Sequence, residues 1–132
     1  MHLHGLLQIL HRTPAYRSLR QDLVASNEVH QLTMPESAAS YFIAALQSDL
    51  KTPVLFIAPD PERASSFADE LESWAPSGTC VIRIPEPDFP AIDPSEATTQ
   101  AALERSRLAG QLALGEEPLP DVIFVSSVLA TL

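Results

Sequence analysis

The chain has 132 residues, one ordinary domain's worth, and its 45% apolar and 19% charged residues exclude a disordered tail. Eight Lys and Arg against seventeen Asp and Glu leave a net charge of −9, which argues against a dedicated nucleic-acid-binding domain. A lone cysteine, Cys80, excludes an internal disulfide framework and a zinc ribbon.

Leu3, Leu6, Leu7 and Leu10 follow the i, i+3, i+4, i+7 spacing of an amphipathic helix. The N-terminus, MHLHGLLQILHR, offers neither a basic head nor a small-residue cleavage site, so it is not read as a signal peptide. Thr13 followed by Pro14 reads as an N-cap and first helical residue. The helix so opened runs to about Val24, with Ala15, Tyr16, Leu19 and Leu23 as its apolar stripe. Residues 1–27 are therefore expected to form a helical hairpin, and residues 28–132 a second unit.

That second unit alternates short apolar runs with amphipathic helices. Val29–Leu32 is a strand candidate. A helix then begins at Glu36 or Ser37 and turns Ala38, Tyr41, Phe42, Ala45 and Leu46 inward. The run Pro53–Ala58 has the length and continuity of a parallel strand covered on both faces. Asp60-Pro61 caps the next helix, where Ala64, Phe67, Ala68, Leu71 and Trp74 keep helical spacing. Cys80–Ile84 is the third strand, with Cys80 expected as a small buried hydrophobe. Residues 85–94 hold four prolines and suit neither a helix nor a central strand. A long helix follows from Ser95 to near Gly115, with Ala101, Leu108 and Leu112 inward. Asp121–Val125 is the fourth strand, and Ser126 and Ser127 read as the cap of a further helix. Because the final residues stay apolar to Leu132, the chain reads as an excised fragment. The whole pattern predicts βαβ units and a parallel sheet.

Twelve prolines against four glycines matter for chemistry, because phosphate-cradling loops depend on glycine. Gly5, Gly78, Gly110 and Gly115 fall in neither a GxGxxG nor a GxxxxGK[ST] pattern. At the first strand–helix junction, where such a loop belongs, Thr33 and Ala38 replace the glycines and Ala39 replaces the lysine. Only Ser40 keeps the hydroxyl of the pattern, and Glu36 adds repulsion where phosphate would lie. This is a degenerate P-loop, and no nucleotide, metal or other cofactor is expected. Asp60 and Glu62, after the apolar run, are explained by helix capping and the helix dipole rather than by metal binding. His2, His4, His11 and His30 share no metal-ligand spacing with a carboxylate or with Cys80. Arg105 and Arg107, near Glu104, suit solvated ion pairing or the anchoring of a partner. No catalytic residue emerges.

In order, these pieces are a leucine-rich helical hairpin, TMPESAASYFIAAL, TPVLFIAPDPERASSFADEL, VIRIPEPDFPAIDPS, and RLAGQLALGEE before VIFVSSVLATL. Their order is similar to that of the N-terminal, UvrB-like region of the bacterial transcription-repair coupling factors, the Mfd family. The resemblance runs from Leu6 to Leu132. It implies a three-layer RecA-like domain with a ruined Walker A motif, serving as a non-catalytic scaffold. It also implies a parent that is an ATP-dependent DNA translocase displacing stalled RNA polymerase and recruiting UvrA in nucleotide excision repair. In that family the motor motifs and the RNA polymerase, DNA and main UvrA contacts lie further along the chain, so no partner-binding residue is carried over. A cytoplasmic address without membrane contact is expected. The alternative is the N-terminal half of an active helicase or UvrB-like ATPase that contacts ATP or DNA. The missing glycines, the net charge and the single lysine, Lys51, weigh against it.

Overall fold

The computed structural model describes residues 3–86, 100–114 and 121–128. It is an α/β structure with a three-stranded parallel sheet. In chain order, a 3-10 helix at His4–Arg12 precedes α1 (Pro14–Ala25), α2 (Ala39–Leu50), β1 (Val54–Ala58) and α3 (Pro61–Trp74). β2 (Cys80–Arg83), α4 (Gln100–Leu114) and β3 (Val122–Ser127) complete it. The strand order is β1-β3-β2, so the last strand in sequence is the central one. Val54 pairs with Ile123 and Ala58 with Ser127 on one side, while Cys80 pairs with Val122 and Arg83 with Val125 on the other.

α3 follows its sequence signal closely. The Asp60 carboxylate accepts from the Arg63 backbone N–H at 2.8 Å, and Pro61 occupies the first turn, where its missing N–H costs nothing. Phe67, Ala68 and Leu71 then fall on one fully buried face. Phe67 stacks on Phe56 of β1 with ring centroids 3.6 Å apart. Removing side chains of this size from water stabilises the fold by about 1.5–3 kcal/mol each. The same core holds Leu7, Tyr16, Ala44, Ala45, Ile123 and Val125. At the exit of α3, Gly78 takes a φ of +100°, a turn conformation that suits glycine.

Several expectations are corrected. Residues 29–32 are not a strand: Val29 is fully exposed and Leu32 about half-exposed. Three residues apart, these two fall on opposite faces of an extended chain, so the segment has no apolar face to bury. β1 is covered on one face only, for Leu55 and Ile57 are 55% and 48% exposed. Cys80 is exposed at the start of the edge strand β2. Ser126 and Ser127 are fully buried in β3, which extends past Val125 because the central strand keeps pairing as far as Ala58 of β1, and the helix expected after them lies outside the described residues. Leu6 is 46% exposed because the first helix is 3-10, where side chains three apart eclipse and Leu7 faces the core instead. Thr13 makes no side-chain cap bond to α1. The inner face of α2 includes two polar residues, Ser40 and Gln47, beside Ala44 and Ala45. The proline-rich stretch from residue 87, the start of the long helix, and the side chains of Ala101 and Leu112 lie outside the described residues.

Candidate functional site

Thr33 is exposed, and Ala38, Ala39 and Ser40 follow it across a single 3-10 turn, Glu36–Ala38, into α2. A phosphate loop needs successive backbone N–H groups free to point at the ligand. Here the Ala38 N–H donates to the Pro35 carbonyl at 2.9 Å and the Ala39 N–H to that of Glu36. Pro35 has no N–H to offer. Two of the donors that would cradle an anion, those of Ala38 and Ala39, are spent on closing the turn.

Ser40 is likewise engaged. Its hydroxyl is fully buried and donates to Glu70 Oε2 of α3 at 2.8 Å. Arg63, placed by the Asp60 cap, bridges outward from there. Its Nη1 lies 3.4 Å from Glu70 Oε1, its Nε 2.6 Å from Glu36 Oε1, and its Nη2 donates to the Glu36 carbonyl at 3.3 Å. A carboxylate therefore holds the Ser40 hydroxyl, and an arginine ties the loop to α3. The Glu36 side chain is 75% exposed, so its ion pair contributes at most about 1 kcal/mol. The buried hydroxyl bond is what fixes the start of α2.

Two recesses adjoin this region. A cavity of about 110 Å³ lies past the carboxyl ends of β2 and β3, where ligands bind in open parallel sheets. Pro61, Ser65, Arg83 and Glu86 are among its lining residues. Glu86 Oε1 accepts from the Ser127 hydroxyl, while Oε2 is buried without a hydrogen-bond partner among the described residues. Arg83 is held by Asp69 at 2.6 Å and Glu72 at 3.3 Å, which push its guanidinium pKa up. The volume suits a few waters and falls well below the roughly 300–1,000 Å³ of ordinary ligand pockets. The second recess, about 290 Å³, lies between α1 and α2 and is lined by Leu10, Tyr16, Leu19, Leu32, Met34 and Phe42 together with Thr33 and Ala38. Its walls are predominantly apolar, so the degenerate loop faces a surface unsuited to phosphate.

A third constellation escaped the sequence reading. The Asp49 carboxylate at the end of α2 accepts from the Tyr16 hydroxyl at 2.7 Å and lies 2.9 Å from His11 Nε2 and 3.7 Å from Arg20. Burial first, then the Asp49 bond, raises the Tyr16 pKa and so favours the neutral phenol. The three residues fasten the N-terminal helices to α2. No local spacing announces them, since Asp49 is more than thirty residues from either ring.

Arg105 lines a small recess with Leu108, Phe124 and Ile84, and Arg107 is exposed. Among the described residues no three His, Cys, Asp or Glu side chains are grouped to hold a metal ion. Among the same residues no helix is long and apolar enough to cross a membrane. No family model, curated protein or solved structure matches the chain.

Proposed function

We propose that this chain is a non-catalytic scaffold: the first part of a UvrB-like module in a bacterial transcription-repair coupling factor. The observation that carries the non-catalytic reading is the closed loop at residues 33–40. The Ala38 and Ala39 N–H groups bond within the turn, and its one surviving motif residue, Ser40, is bound to Glu70. The family reading rests on the order of sequence segments, supported by a parallel α/β sheet with the degenerate loop at the head of α2. In this reading the sheet is part of a three-layer RecA-like domain in the cytoplasm. The parent protein is then an ATP-dependent DNA translocase that displaces stalled RNA polymerase, and its module helps recruit UvrA.

Calorimetric titration with Mg-ATP tests the first half. No binding heat is expected up to millimolar nucleotide. Micromolar binding that disappears in Ser40→Ala would overturn the scaffold reading and restore an active ATPase half. Strand-resolved repair after ultraviolet damage tests the second half. Cells lacking the gene should lose the faster repair of transcribed strands; unchanged repair on both strands would remove the family assignment.

A further inference from the structure

The charge of this chain is unevenly placed. Residues 1–27 carry three arginines and one acid, Asp22, whereas residues 28–132 carry five cations and sixteen acids. The two N-terminal helices are thus net-basic by two charges in an acidic protein, against one for α4 with Arg105, Arg107 and Glu104. Their inner faces are already used, with Leu7, Tyr16 and Leu19 buried against the body of the fold. Their outer faces are not.

On the 3-10 helix, Leu6, Ile9 and Arg12 are three residues apart and share one ridge, about 6 Å between successive side chains. Leu6 and Ile9 are 46% and 58% exposed. On α1, Arg17 is exposed, whereas Arg20, one turn on, turns toward Asp49 of α2 and with Gln21 and Val24 borders a recess at the end of that helix. Arg12 and Arg17 pair with no carboxylate among the described residues, whereas Lys51, Arg63 and Arg83 each sit on at least one. Exposed aliphatic anchors beside unpaired arginines, on helices already locked in place, make a preorganised docking surface.

We infer that this outer face binds an acidic, amphipathic segment of a partner protein. The aliphatic residues of the segment seat on Leu6 and Ile9, and its carboxylates pair with Arg12 at the end of that ridge and with Arg17 at the start of α1. A long polyanion such as DNA is disfavoured, because it meets the strongly acidic remainder of the chain as well as this face. A membrane surface is disfavoured because the apolar ridge is short and ends at Arg12. A second copy carries the same net negative charge. The inference does not depend on the family reading.

The test uses the whole chain and four probes. One is a synthetic helical peptide with leucines at i, i+3 and i+7 and flanking glutamates; its counterpart has glutamine for every glutamate. Duplex DNA and vesicles rich in anionic lipid form the competing arm. The glutamate peptide should bind, protect backbone amides of residues 4–25 from hydrogen exchange, and lose affinity as salt rises. The double variant Arg12→Glu, Arg17→Glu should weaken it about tenfold or more. Ile9→Ser should weaken it with an unchanged salt dependence. Both variants should keep the parent's circular dichroism and melting temperature, since the substituted side chains are exposed. The inference fails if no peptide binds at millimolar concentration, or if the glutamine peptide binds equally well. It also fails if protection appears elsewhere, or if DNA or vesicles bind more tightly than the peptide.

Discussion

Ser40 shows how one side chain changes the meaning of a motif. Its hydroxyl is fully buried and bonded to Glu70, so Ser40→Ala removes a donor while Glu70 keeps Arg63. The expected loss is about 1 kcal/mol by urea denaturation, the net worth of such a bond. Glu70→Ala should cost more, about 1–3 kcal/mol, because it strands a buried hydroxyl and leaves Arg63 with Glu36 alone. If Glu70→Ala proves the milder change, the network does not hold the loop. Tyr16 sets a pH dependence of its own. Its phenol pKa is raised by burial and by Asp49, so folding favours the neutral ring. That stabilisation is fully present below the ordinary phenol value near 10 and is lost as pH rises beyond it. Tyr16→Phe should therefore destabilise by about 1–2 kcal/mol at neutral pH. The gap from the parent should narrow in melts taken at increasingly alkaline pH; a gap that stays constant would mean the phenol's titration is not coupled to folding.

At the scale of elements, α3 was readable because its signals are local. Asp60-Pro61 marks the start, and helical spacing marks the buried face. Asp60→Ala should cost about 1 kcal/mol in a thermal melt, and Asp60→Asn only a small part of that, since asparagine caps nearly as well. Equal losses would mean that charge at the helix end, not the cap bond, matters. The β1 run was readable too, but its exposed face was not, because an apolar run does not reveal which side of a sheet is covered. The fate of Ser126 and Ser127 depended on the length of β1, a partner more than sixty residues away in sequence. Two serines after an apolar strand do not reveal that the strand runs through them until that pairing is known. The 3-10 character of the first helix shifted its inner face by one residue, which leucine spacing alone does not resolve. The degenerate loop was legible residue by residue, since absent glycines and lysine are visible in any sequence. Its closure was not, because Arg63 and Glu70 come from a different helix.

Across the whole molecule, two surfaces respond to salt in opposite directions. Attraction between Arg12, Arg17 and an acidic partner is screened as ionic strength rises. The sheet edge behaves differently. Among the described residues no strand pairs with the outer side of β1, and that strand carries no charge between Val54 and Ala58. Leu55 and Ile57 stand exposed on its uncovered face. An edge with these properties is a template for pairing with another chain. Repulsion between copies, each at −9, opposes that pairing at low salt. Screening shortens its range from about 10 Å at 0.1 M to about 3 Å at 1 M. Self-association should therefore grow with protein concentration and with added salt. Sedimentation velocity from micromolar to millimolar protein, at low and high salt, measures both trends. Ile57→Lys places a charge on the exposed face and should suppress association without lowering the melting temperature, because residue 57 is already half in solvent. A chain that stays monomeric at millimolar concentration in high salt, or an Ile57→Lys variant that associates as readily as the parent, would show that the β1 edge is protected.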